Sequence, residues 1–148
     1  MTSYLLDTNI LLRSVDPNSE NCSLARNAVN KIIEEGGNCY ITPQILVEFW
    51  VVATRPINVN GLGWTTQKTQ EEINEFLSQF SLLVETADIF MFWLNLVSEY
   101  DIKGKRTHDI RLIAVMKTYN ITHLLTFNPT DFIPIPNITI LRPQDLIQ

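Results

Sequence analysis

The sequence predicts an α/β domain built on a parallel β-sheet with both faces covered. Three observations lead there. Segments of strand character alternate with segments of helical periodicity, the order expected of strands joined by crossover helices. The strand segments are short apolar runs without in–out alternation, as in strands buried on both faces. The 148 residues suit one domain, residues 1–148, whose core can stand without staples.

The elements follow in order. Tyr4–Asp7 is an apolar run ending in an acid and reads as a buried strand. Asn9–Val15 reads as a short helix. Ser19–Glu35 reads as an amphipathic helix with Leu24, Ala28 and Ile32 four residues apart, stopped by Gly36-Gly37. Cys39–Thr42 is a second strand. Thr42-Pro43 then opens a helix, Thr as N-cap and Pro at the first helical position, and that helix runs to about Thr54. Pro56, Asn60-Gly61 and Gly63 make Arg55–Gly63 a loop. Thr66–Phe80 is helical, with Ile73, Phe76, Leu77 and Phe80 on one face. Leu82–Glu85 is briefly extended, Thr86–Tyr100 and His108–Tyr119 are helical, and His123–Thr126 and Ile138–Leu141 are the last strands.

Composition narrows the class. With 45% hydrophobic and 18% charged residues the chain is an ordinary globular protein. No apolar stretch approaches the ~18 residues of a membrane span, and the N-terminus lacks the basic region of a signal peptide. A cytoplasmic protein with no membrane partner is expected. Cys22 and Cys39 form no CxxC or His/Cys cluster, which excludes a zinc site of the usual spacing and fits a reducing compartment. The net charge of −5 argues at first against a nucleic-acid partner. Setting aside four carboxylates as a metal site leaves 12 acids against 11 bases, a nearly neutral remainder.

Those four are Asp7, Glu48, Asp109 and Asp131. In parallel α/β sheets ligands bind outside the carboxyl ends of the strands, near a switch in strand order. Asp7 stands at such an end, and also reads as an N-cap. Glu48 lies in Ile45-Leu46-Val47-Glu48-Phe49-Trp50-Val51-Val52-Ala53, apolar on nearly every side and therefore expected to be a buried helix. An ionised carboxylate there must be paired, protonated or metal-bound. Asp109 opens an apolar helix, where the helix dipole alone also favours an acid. Asp131 follows the strand at His123–Thr126, in a loop where an acid is also an ordinary turn residue. Together they put three or four carboxylates at one end of the sheet, a self-repelling cluster that calls for a cation, and oxygen-only ligands suit Mg²⁺ or Mn²⁺.

Four stretches also carry a resemblance. Leu5-Leu6-Asp7-Thr8-Asn9-Ile10-Leu11-Leu12, Glu48 in the third helix, His108-Asp109-Ile110-Arg111-Leu112-Ile113-Ala114, and Leu124-Leu125-Thr126-Phe127-Asn128-Pro129-Thr130-Asp131-Phe132 resemble the motifs of PIN-domain nucleases. As a free-standing domain the chain is most similar to VapC-type toxins of toxin–antitoxin pairs. The resemblance implies a Rossmann-like three-layer α/β/α sandwich and a Mg²⁺- or Mn²⁺-dependent endoribonuclease that hydrolyses RNA phosphodiesters with metal-activated water, leaving a 5′-phosphate and a 3′-hydroxyl. It also implies a cognate VapB-like antitoxin and a homodimer. Position by position, Asp7, Glu48 and Asp109 match its three core acids. Many members have Asp where this chain has Asn128, which leaves Asp131 as the nearby fourth acid and favours one metal over two.

Supporting residues complete the expectation. Thr8 and Asn9 orient Asp7 or a metal-bound water, or Asn9 only caps the helix. Lys103, Lys105, Arg106 and Arg111 put four of the 11 basic residues within nine positions around Asp109 and are expected to hold the RNA backbone, as is Arg55. A solvated basic loop is the plainer reading of the cluster. His108 is read as a polar residue near a helix start and not as a base. Trp64 is read as packing before stacking on a base, and Phe90-Met91-Phe92-Trp93 as mostly core with an excess that could face a partner. A haloacid-dehalogenase-type phosphotransferase would want an acid where Asn9 stands, and a receiver domain would want an acidic pair by the first strand. The main non-enzyme alternative is a PIN-like module that binds RNA or protein without cleaving.

Overall fold

A computed structural model describes residues 1–147. Five strands, β1 (Ser3–Leu6), β2 (Asn38–Ile41), β3 (Ser81–Leu82), β4 (His123–Leu125) and β5 (Thr139–Leu141), form one sheet in the order β3-β2-β1-β4-β5. Every pairing is parallel. Neighbouring residues of a strand point to opposite faces, yet Leu5 and Leu6 are both fully buried, as are Leu124 and Leu125. Both faces of the sheet are therefore covered, and the three-layer α/β/α expectation holds.

Seven helices among the described residues do the covering: α1 (Thr8–Ser14), α2 (Cys22–Glu34), α3 (Pro43–Thr54), α4 (Thr66–Gln79), α5 (Ala87–Glu99), α6 (Arg106–Tyr119) and α7 (Pro143–Leu146). α1 packs on α2 and α3, α2 also on α7 and β2, α3 on α4, and α5 on α6. Thr42 caps α3 as expected, accepting from Ile45 N at 3.1 Å. A cap of this kind is worth about 1 kcal/mol. α3 then buries Phe49, which meets Phe76 of α4 edge-on at 5.0 Å between ring centres. The loop after α3 folds back tightly: a β-carbon at Gly61 would lie 1.9 Å from the Arg55 carbonyl oxygen, so only glycine fits.

Several expectations shift. The buried face of α2 is Ala25, Ala28, Val29 and Ile32, with Leu24 at its edge, because successive hydrogen-bonded turns through Asp16 and Ser19 delay the helix to Cys22. α6 starts at Arg106, two residues early: Gly104, at φ +65°, lets Thr107 and His108 bond back to the Gly104 and Lys105 carbonyls. β3 is only two residues long, an exposed edge strand whose brevity limits open pairing. α7 went unread because four residues carry no periodicity.

Two corrections concern apolar surface. α3 is apolar all round but not buried all round: Val47 is 64% and Val51 51% exposed. The Phe90–Trp93 cluster is not mostly core either. α5 buries Ile89 and Leu96, while Phe90 is 57% exposed and Met91 and Phe92 also face outward. Apolar periodicity identifies a helix but cannot tell a face that meets the core from one that meets another molecule.

Candidate active site at the strand-order switch

The strand order runs outward from β1 to β2 and β3 on one side and to β4 and β5 on the other. The switch point is thus the seam between β1 and β4, and the crevice beyond their carboxyl ends is where such sheets bind ligands. Asp7 is the first residue past β1 and Thr126 the first past β4. The seam is closed by the Asp7 amide donating to the Leu125 carbonyl at 3.0 Å.

Asp7 caps α1 and is held by three donors. Its Oδ1 accepts from Thr8 N at 2.8 Å. Its Oδ2 accepts from Thr126 Oγ1 at 2.8 Å and, more weakly, from Asn9 Nδ2 at 3.4 Å. Asn9 also donates to Thr126 Oγ1 at 3.1 Å and accepts from Phe127 N at 3.0 Å. The Asn128 amide donates to Thr126 Oγ1 at 3.1 Å. Asp7, Asn9 and Thr126 thus form one network across the switch point. The N-cap reading of Asp7 holds, and the same carboxylate reaches across the seam: one oxygen serves the helix, and the other meets Thr126 and Asn9.

Glu48 joins from α3. Thr8 Oγ1 donates to its Oε2 at 2.8 Å, and Gln44 Nε2 to its Oε1 at 3.0 Å. The half-buried Glu48 therefore has the partners its apolar helix demanded, a hydroxyl and an amide, with no basic side chain among them. Asp109 comes from the first turn of α6.

Electrostatics joins these acids. Burial lifts the Asp7 carboxyl to about 6, and the charges of Glu48 and Asp109 lift it too, against the pull of the Thr126 and Thr8 hydrogen bonds. Asp109 is raised by burial, then by Asp131 and Glu48, with His108 and Arg106 pulling the other way. Four carboxylates from four separate chain segments thus feel one another at one rim. Two oppose ionisation in the bare protein, which is the condition a cation relieves. Among the described residues, no set of three or more His, Cys, Asp or Glu side chains stands as a ready-made cage for a metal ion.

The remaining expected residues are placed as follows. Asn128 and Asp131 are exposed beside a 3-10 turn, Pro129–Asp131. Lys103, Lys105 and Arg106 are exposed; Lys103 pairs with Asp101 at 3.6 Å, and Arg106 donates to the Thr130 carbonyl at 3.3 Å. Arg111 bonds Glu85 at 2.6 Å and Gln44 at 3.1 Å. Arg55 is half-buried at the end of α3. Trp64 packs edge-on against Phe49, with Lys68 over its ring at 4.3 Å. His108 lies on the surface and offers its carbonyl to Gln44.

Two residues escaped the sequence reading. Thr126 is a fully buried polar residue at the end of an apolar strand, and its mirror position to Asp7 was the available signal. Gln44 is four residues before Glu48, the spacing that stacks side chains on one helix face.

Comparison with known proteins bears on the fold and the family. No curated protein matches the sequence. Among solved structures the chain is similar to VapBC2 from Rickettsia felis bound to a DNA fragment from its promoter, with a TM-score of 0.72 at 19% identity over 95% of this chain and 98% of that one. It is similar to a toxin–antitoxin complex from Klebsiella pneumoniae, with a TM-score of 0.64 at 22% identity over 95% and 97%. It is also similar to Mycobacterium tuberculosis VapC20, described as a sarcin-ricin loop cleaving toxin, with a TM-score of 0.60 at 14% identity over 82% and 86%. These likenesses speak to the fold. The PIN domain family matches residues 4–133, from the first strand through the turn bearing Asp131, and so the chain belongs to the PIN-domain family.

Proposed function

We propose that the protein is a Mg²⁺- or Mn²⁺-dependent endoribonuclease, the toxin of a toxin–antitoxin pair acting in the cytoplasm. The observation that carries the reading is the convergence of Asp7, Glu48 and Asp109 at the β1–β4 switch point, with Asp7 and Asp109 both resisting ionisation under their neighbours' charge. PIN-domain membership supports it, as do structural neighbours described as a toxin–antitoxin complex or as a sarcin-ricin loop cleaving toxin. Those neighbours also support a VapB-like antitoxin as partner. The exposed apolar surfaces of α3 and α5 support a homodimer.

Asp7, Glu48 and Asp109 would hold the ion, with Asp131 at the outer edge. When bound, a divalent ion supplies an activated water and charge compensation at the departing oxygen. The chain's own residues prepare the place. Thr126 and Asn9 stop the Asp7 carboxylate from rotating, and Thr8 spans Asp7 and Glu48 through its amide and hydroxyl. Lys105 and Arg106, exposed at the start of Asp109's helix, would hold the RNA backbone by its phosphates.

The test is cleavage of structured RNAs by protein freed of antitoxin, with Mg²⁺ or Mn²⁺, with chelator, and with Asp7→Asn. Metal-dependent cutting lost in the variant is expected. Cutting that survives both chelator and the substitution overturns the reading, and binding of RNA without cutting points to the non-catalytic module.

A further inference from the structure

Glu48 is held from two sides, and one of them leads to a residue that the charge pattern assigns to RNA. Gln44, one helical turn before Glu48 on α3, donates Nε2 both to Glu48 Oε1 at 3.0 Å and to the His108 carbonyl at 3.1 Å. Nothing in the shape of a side-chain amide fixes which end is oxygen. Here Arg111 fixes it. A guanidinium can only donate, and Arg111 Nη1 donates to Gln44 Oε1 at 3.1 Å. With the amide flipped, its NH₂ would face the guanidinium and its oxygen would face the Glu48 carboxylate and the His108 carbonyl. Three favourable contacts would become three repulsive ones. Arg111 is in turn anchored through Nη2 to Glu85 at 2.6 Å.

The path Glu85–Arg111–Gln44–Glu48 therefore joins α6 to α3, and its branch to the His108 carbonyl grips the backbone next to Asp109. The guanidinium is committed to Glu85 and Gln44, and the Glu85 carboxylate balances its charge, which makes it a poor free phosphate ligand.

We propose that Arg111 and Gln44 are positioning residues: Arg111 orients the Gln44 amide, and Gln44 holds Glu48 against the start of α6, so that Glu48 and Asp109 address the same cation. This rests on the metal-nuclease reading above.

The test is Mn²⁺ affinity without RNA, read from the electron paramagnetic resonance signal of free Mn²⁺, for wild type, Gln44→Met, Arg111→Met, Arg111→Lys and the Gln44→Met/Arg111→Met double variant. Each single variant is expected to bind Mn²⁺ about 10–100-fold more weakly, the usual cost of losing a partner behind a metal ligand. Arg111→Lys is expected to fall with Arg111→Met, since a lysine keeps the charge but lacks the two-pronged fork. The double variant is expected to be no worse than the poorer single one, because both act on one path. Thermal unfolding without divalent ions shows whether each variant is folded; both Arg111 and Glu85 are partly exposed, and Arg111→Lys is the milder change should Arg111→Met unfold.

A parallel titration with an uncleavable RNA separates the alternative. Arg111→Met that keeps Mn²⁺ affinity but loses RNA affinity and salt dependence makes Arg111 a phosphate ligand and overturns the proposal. Additive losses in the double variant, or a wild-type-like Arg111→Lys, overturn it as well. Wild-type protein that binds no Mn²⁺ brings down the metal-nuclease reading with it, whereas wild type that binds Mn²⁺ and cleaves while every variant matches it overturns the positioning alone.

Discussion

Asp7 accepts hydrogen bonds from Thr8, Thr126 and Asn9 at the seam between β1 and β4, whereas Asp131 sits exposed in a 3-10 turn and its carboxylate accepts none from the described residues. Both acids stand at the same rim. One is pre-organised by groups that are themselves held by backbone, and the other is free to turn in water. A carboxylate serves a site when its surroundings have already met the cost of orienting it. Asp7 meets that condition, and Asp131 acts mainly as a nearby charge on Asp109.

The sharpest way to break the comparison is Asp7→Asn, which should act oppositely on activity and stability. RNA cleavage should fall by at least about 10²–10³-fold, the scale of losing one pre-organised electrostatic group. Stability should rise near neutral pH without divalent ions. The folded protein holds the Asp7 proton up to about 6, while an unfolded Asp releases it near 3.8. Between those values the folded state binds more protons, so wild-type stability is full below about 4 and is lost as pH rises through about 6. The loss is up to about 3 kcal/mol for a shift of this size. Urea unfolding from pH 4 to pH 8 should show that decline in wild type, a smaller one in Asp7→Asn, where only Asp109 among the core acids is still raised, and recovery of wild type with Mg²⁺. A flat wild-type profile would remove the raised Asp7 carboxyl.

Next in size is Thr126→Val, which keeps the shape and removes the donor. Mn²⁺ affinity should drop about 10–100-fold. The lost hydrogen bond favoured ionised Asp7, so the acid limb of the pH–rate profile should move to higher pH. A limb that stays in place would mean that another group sets it. Asp131→Asn should do far less: under about tenfold in rate, as befits an exposed charge in high dielectric. It should also lower the Asp109 carboxyl toward its ordinary range. A loss equal to that of Asp7→Asn would erase the distinction between the two acids.

The same contrast explains what the sequence could and could not tell. The alternation of elements, the cap at Thr42, and the acids at the rim were legible because each rests on local chemistry. Glu48 was found for a reason only half right: its helix is apolar all round, yet Val47 and Val51 face solvent and the acid is paired by Thr8 and Gln44. Thr126 was missed because its partner Asp7 is 119 residues away and only the β1–β4 pairing brings them together. Arg111 was grouped with the basic run by proximity in sequence. Its contacts to Glu85 and Gln44 depend on how α6 lies beside α3, which no local pattern encodes.

The basic segment before α6 offers the smallest and cleanest effect. Lys105 is exposed and forms no ion pair among the described residues, while Arg106 also ties the start of α6 to the Thr130 carbonyl in the turn that bears Asp131. If both meet phosphate, Lys105→Gln and Arg106→Gln in an Asp7→Asn background should weaken binding of single-stranded RNA a few-fold, independent of sequence. Each should reduce the slope of log affinity against log salt by about 0.7. Neither should change Mn²⁺ affinity by the margin expected for Thr126→Val, although Arg106→Gln should also loosen the Asp131 turn and so shift Mn²⁺ affinity slightly more than Lys105→Gln. Fluorescence anisotropy at four salt concentrations measures the slopes. Unchanged slopes would make this segment the plain solvated loop and would send the RNA path across another face of the rim.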